Sequence, residues 1–477
     1  MLFNSLQFLL FYPFVTLLYY VLPHKHRWWW LLGASAVFYM AFVPVYLLIL
    51  VFTILVDYAA GIWIENASKT RKKAYLLMSL AANVGILATF KYYNFFADNL
   101  NALFGNLDWG AKLPLLSILL PIGLSFHTFQ AMSYTIEVYR GKQKAEQHLG
   151  IFALYVLFYP QLVAGPIERP QNLLHQFRTY HPFNGAVLYG GLRLMLWGFF
   201  KKMVIADRLL VYVNHIYGNP FNYNAVNLII ATLFFTIQIY CDFSGYSDIA
   251  IGAARSMGFT LMTNFNRPYF ATNIRIFWQR WHISLSTWFR DYVYLPLGGS
   301  RTTQAKIYRN VAIVFLLSGF WHGANWTFLA WGSIHALLII GYLLYTHYLP
   351  IKLPSNKWAN GVYTFITFCV VAWAWVFFRA DSMSQALQIT HNMLTFNTQL
   401  PLMLAIKNAQ QIEFGTLSYA IALPAIAFMF WVEKWQNPHQ TTLDNKPFAD
   451  VVFNILVLLS VLILGVFYQN SFIYFQF

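Results

Sequence analysis

Charge is what this chain has least of. Only 10% of its residues are Asp, Glu, Lys or Arg, against about 25% in ordinary soluble domains. With 59% hydrophobic and 19% aromatic residues, it cannot cover a water-facing surface, so most of its helices must face lipid. Acid is scarcest: 16 Asp and Glu stand against 31 Lys and Arg, a net charge of +15. Such an excess invites a nucleic-acid reading. The basic residues, however, fall in short loops between apolar runs, where the positive-inside rule places them, and no basic arm or recognition module is present. The excess suits an anionic cytosolic ligand instead, and coenzyme A is one. Cysteine is nearly absent. Cys241 and Cys369 exclude a disulfide framework or a cysteine metal cluster, and both are expected to be buried and inert. The lack of an internal repeat argues against a transporter built from two related halves. The N-terminus lacks the basic start of a signal peptide, and its apolar run continues past the usual length, so it is expected to be the first span.

What the chain has in plenty is apolar runs, recurring from residues 2–22 to 449–468. They predict an all-α polytopic membrane protein, a single integral domain over 1–477 with about eleven spanning helices, since some runs are too short to cross. Lys69, Arg71, Lys72 and Lys73 are expected in the cytosol, as are Arg140, Lys142, Lys144, Lys201, Lys202 and Arg208. From Arg255 to Arg309 eight Lys or Arg stand against one acid, Asp291, so this region is expected to begin on the cytosolic side. Run 149–163 lies between two basic stretches and ends in YPQLVAGPIERP. Its prolines and glycines predict a re-entrant segment, which is tolerated at membrane depth where backbone is buried in protein. Residues 407–415 are expected to form a solvated loop.

The most polar and Arg-rich stretch is 277–301, FWQRWHISLSTWFRDYVYLPLGGSR. Taken as one helix over 277–296, it has an apolar stripe of Phe277, Trp281, Leu285, Trp288 and Tyr292. Two adjacent polar stripes hold Arg280, Ser284, Thr287 and Asp291, then Gln279, His282, Ser286 and Arg290. An interfacial anchor has a similar pattern, but the wet face is wider than an anchor requires and suits an aqueous funnel. Downstream, SGFWHGANW places His322 well inside run 307–331. An ionisable residue within a span is a functional-site hypothesis by default, and a histidine near its unperturbed pKa of about 6.5 suits general-base work. The alternative is a neutral histidine bonded within the bundle. A zinc site using His127, His335 or Asp242 would need three or four ligands, and no tight metal spacing supports one. Asp242 and Asp248, in an apolar setting, are expected to pair with arginines such as Arg275 or Arg280. Glu137 and Arg140 are expected to act likewise, and Glu168 and Arg169 to face a ligand headgroup.

RPYFATNIRIFWQRWHISLSTWFRDYVYLPLGGSR at 267–301, followed by LSGFWHGANWTFLAWGSIHA at 317–336, resembles the membrane-bound O-acyltransferase superfamily. The likeness is greatest to the bacterial membrane subunits that serve alginate O-acetylation. SFHTFQAMSYTIEVYRG at 125–141, LVAGPIERP at 162–170 and IYCDFSGYSDIAIGAARSMGF at 239–259 fit the same family in the same order, within a signature region of 113–348. Glu137 and His127 depart from the family's usual Asp and aromatic residue. The resemblance implies a ring of tilted helices with cytosolic and outer funnels meeting at a catalytic centre. There His322 matches the principal histidine and His282 the second. It also implies acetyl-coenzyme A as cytosolic donor substrate with no resident cofactor or metal, and a location in the bacterial inner membrane. The implied partners are an outer acyltransferase and an exported polysaccharide. Arg275, Arg280 and Arg290 are candidates for the donor's phosphates. The rival readings are D-alanyl transfer to teichoic acid from a carrier-protein thioester, lipid or protein acylation, and a non-catalytic acyl conduit.

Overall fold

A computed structural model describes residues 1–349, 354–396, 415–435 and 447–467, and among these every regular element is helical. Two compact units are formed: Met1–Met195 with Ser247–Met262, and Leu196–Tyr246 with Thr263–Phe477. Among the described residues, five helices are long and apolar enough to cross a bilayer: Pro44–Asn66, Lys69–Asn106, Ala225–Ser256, Trp326–Tyr348 and Lys357–Arg379. Leu6–Val21 and Ala449–Leu464 are shorter apolar helices. The chain is thus an all-α multi-pass membrane protein. Some of the apolar runs are interrupted in the structure. Run 113–137 is helical only over Leu124–Tyr139.

The break read from YPQLVAGPIERP is present in the first unit. Helix Leu149–Leu157 has nine residues, about 14 Å, far short of a hydrocarbon core about 30 Å thick. Another short helix, Tyr159–Leu162, follows, and buried irregular backbone then runs to residue 169. Side chains of this unit supply hydrogen bonds to its backbone, as buried irregular backbone requires. The Gln161 and Gln130 side chains donate to the Tyr155 carbonyl at 2.8 and 2.5 Å, and the Tyr155 hydroxyl donates to the Glu168 carbonyl at 3.0 Å. Glu168 does not reach for a headgroup. It is fully buried, and its Oε1 accepts from the Met262 N–H at 2.5 Å. Glu137 and Arg140 do pair, at 3.2 Å.

Burial lifts the Glu168 carboxyl from 4.5 to about 7. The folded state therefore holds a proton that the unfolded chain gives up near its ordinary value. The stability this proton confers is complete below about pH 4.5 and is lost as pH rises through about 7. Glu168→Gln should flatten that decline. The check is the thermal midpoint of wild type and variant in detergent at pH 5 and pH 8, with wild type losing more.

The second unit corrects several expectations. Lys201 and Lys202 do not lie in a loop. Helix Gly185–Phe199 runs through a π-helical stretch, Phe200–Ala206, into Asp207–Gly218, and both lysines are buried in it. The Lys202 ammonium bridges Asp207 at 2.8 Å and Asp242 at 2.6 Å. Asp242 is therefore held by Lys202, and one cation between two carboxylates makes burial of all three tolerable. Lys201 donates to the Ser244 hydroxyl at 2.8 Å. Cys241 is buried as expected, but Cys369 is exposed on helix Lys357–Arg379. Residues 407–414 of the expected solvated loop lie outside the described residues.

Candidate active site

The stretch expected as one helix over 277–296 is broken in the middle. Asn273 caps helix Ile274–Arg280 by accepting the Ile276 N–H at 2.9 Å. The chain then turns at His282, whose φ of +43° lies in the left-handed region, unusual for a residue with a Cβ. Helix Ile283–Phe289 follows and passes into a π-helical turn, Arg290–Tyr294. Asn264 stabilises the break. Its carbonyl oxygen accepts the Ile283 N–H at 2.9 Å, and its side-chain Oδ1 accepts the Ser284 N–H at 3.2 Å and the Ser284 hydroxyl at 2.9 Å. Strain held in this way is common at functional sites. No helical pattern in 277–301 signals a left-handed residue, so this break was not legible from periodicity.

His322 is the last residue of helix Gln304–His322. Gly323 is extended, and helix Trp326–Tyr348 begins after Asn325, whose side chain accepts the Thr327 N–H at 3.1 Å. The two helices form a tight hairpin because Gly319 and Gly332 meet. A Cβ on Gly319 would stand 2.3 Å from the Phe328 carbonyl oxygen, and one on Gly332 would stand 2.4 Å from that of Phe315. The small residues around His322 thus serve helix approach. His322 is 4% exposed, boxed by the rings of Trp321 at 4.9 Å, Trp331 at 5.1 Å and Phe378 at 5.2 Å.

His282 also contacts the Trp321 ring, at 6.2 Å, and packs edge-on against Phe243 at 4.6 Å. Both histidines that the sequence singled out therefore contact the same indole. The short helices flanking His282 are not spans, and burial pushes its imidazole down to about 3, so the ring is neutral at physiological pH.

A cavity of about 400 Å³ lies between the broken stretch and helix Gln304–His322, and neither histidine is among its lining residues. Arg275, Gln279, Ser286, Thr287 and Arg290 supply polar groups from the broken stretch, and Val311, Val314, Phe315 and Ser318 line it from helix Gln304–His322. Ser318 stands four residues before His322, hence on the same helical face. Two of the three candidate arginines are thus brought together. Arg280 lies elsewhere, its guanidinium donating to the Phe270 carbonyl at 3.4 Å. His335, considered above as a ligand, instead accepts a hydrogen bond from Trp278, a cavity residue, at 3.3 Å. His127 is buried in the first unit, on helix Leu124–Tyr139. Among the described residues no three His, Cys, Asp or Glu side chains are grouped to hold a metal ion.

The sequence pattern of the membrane-bound O-acyltransferase family matches residues 123–379, and the chain belongs to that family and is an O-acyltransferase. It is 37% identical to the probable alginate O-acetylase AlgI of Pseudomonas putida, with all of both chains covered. To the Pseudomonas aeruginosa protein of the same name it is 38% identical, over 92% of this chain and 84% of that one. To the peptidoglycan O-acetyltransferase of Helicobacter pylori it is 34% identical, over 77% and 74%.

Proposed function

We propose that the chain is the membrane O-acetyltransferase of a polysaccharide-modifying system in the bacterial inner membrane. It takes acetyl groups from cytosolic acetyl-coenzyme A and passes them outward, through an outer acyltransferase partner, to an exported polysaccharide. The observation that carries this reading is that Arg275 and Arg290 line a cavity also lined by Ser318, which stands one helical turn before His322. Guanidinium groups suit phosphates because their donors are planar and always charged. An apolar wall of Val311, Val314 and Phe315 suits the uncharged arm that carries a thioester. The names of the relatives, alginate O-acetylase and peptidoglycan O-acetyltransferase, support an acetyl group and a glycan acceptor.

In this reading His322 takes the proton of an acceptor hydroxyl as its oxygen attacks the thioester carbonyl. The carbon–oxygen bond forms, the carbon–sulfur bond breaks, and the departing thiolate receives the proton. His282 orients the donor. Arg275→Gln with Arg290→Gln should raise the donor KM about tenfold, or about 1.4 kcal/mol, with kcat little changed. Consumption of acetyl-coenzyme A by membranes carrying each form measures it. An unchanged KM, or a chain that leaves the thioester untouched while carrying labelled acyl groups across, would reject the assignment.

A further inference from the structure

The orientation of Asn264 fixes which nitrogen of His282 carries the proton. An asparagine amide can be placed either way round, and only its hydrogen-bond partners decide. Here the decisive partner is the backbone N–H of Ser284, 3.2 Å from Oδ1. A backbone N–H only donates, so the atom facing it must be the carbonyl oxygen. The same Oδ1 lies 3.1 Å from His282 Nδ1. A carbonyl oxygen only accepts, so Nδ1 must carry the hydrogen. In a neutral imidazole the other nitrogen, Nε2, is then the acceptor. Asn264 and His282 are both buried, at 0% and 1% exposure, so water does not exchange these roles.

We infer that Asn264 is a positioning residue for acyl transfer: it holds His282 in the Nδ1–H tautomer and in its left-handed turn, so that Nε2 is the accepting nitrogen of the ring. The assignment rests on the reading that His282 takes part in transfer. One side chain does both tasks because Oδ1 sits where the turn brings the Ser284 N–H and the His282 ring together. Both tasks need an acceptor of this length at 264. Asp supplies one, whereas Ala supplies none and Ser is too short to reach. This is the relation by which a carbonyl or carboxylate behind a working histidine selects its tautomer.

The test uses the full chain in membranes, with release of coenzyme A from acetyl-coenzyme A as the readout. Asn264→Ala should lower kcat by about 10²-fold, the low end of what a positioned proton-transfer group contributes, with the donor KM within about threefold. Asn264→Asp, which keeps the acceptor, should stay within about tenfold of wild type. Ser284→Ala loses the hydroxyl bond but keeps the backbone one, and should remain active. Adding Asn264→Ala to His282→Ala should lower the rate no further, since the two act as one unit. If Asn264→Ala keeps kcat while His282→Ala loses it, the Asn264 assignment is overturned. If Asn264→Asp falls as far as Asn264→Ala with both proteins equally stable in detergent, tautomer control is overturned. If His282→Ala is itself fully active, the underlying reading of His282 fails instead. Equal loss in Ser284→Ala would reduce Asn264 to a turn-former and reject the tautomer role.

Discussion

Replacing His322 with alanine should lower acetyl transfer by about 10²–10⁴-fold, the range a positioned general base supplies, and leave the protein folded in the membrane. The fold survives because the cage does not depend on the imidazole. Trp331 still packs on Phe378 at 5.3 Å and on Trp375 at 5.7 Å, and the hairpin is held at Gly319 and Gly332. His322→Gln, closer in size, separates lost chemistry from a cavity left by alanine, and should be as inactive. Acetyl transfer to acceptor, measured with membrane levels of each variant, checks both. Normal transfer by either variant would remove His322 from the proposed mechanism.

The largest effect on stability is expected at Lys202. Its ammonium is the shared counter-charge of Asp207 and Asp242, and all three are nearly inaccessible. Lys202→Met keeps the length of the side chain but sets two carboxylates together without that cation. Removing one partner of a buried ion pair typically costs about 3–5 kcal/mol, whereas removing the whole set is often tolerated. Lys202→Met should therefore fall sharply in thermal midpoint and in membrane yield. The triple change with Asp207→Asn and Asp242→Asn should recover most of the loss. Fluorescence-detected melting in detergent distinguishes the two. A single variant as stable as wild type would show that the bridge contributes nothing.

These charges show where sequence reading reached and where it stopped. That Asp242 must be neutralised follows from a carboxylate in an apolar run. Its partner does not, because Lys202 lies in a basic pair that resembles a cytosolic loop, and only the π-helical stretch turns it inward. The break in residues 149–169 was legible because proline and glycine forbid a continuous helix there. The break at His282 was not, because neither residue type is present and tertiary bonds from Asn264 override a helical pattern. The burial of His322 was legible from its apolar surroundings, and the contact of both histidines with Trp321 was not. Of the three arginines, spacing alone could not separate Arg280 from Arg275 and Arg290, since a broken helix changes which residues share a face.

The left-handed backbone at His282 has a consequence for how this protein can be improved or can decay. A residue with a Cβ held there costs about 1–2 kcal/mol, a strain that glycine would not carry. The buried imidazole offsets that strain through its packing on Phe243 and its hydrogen bond with Asn264, so a glycine at 282 would relax the backbone and empty the space the ring fills.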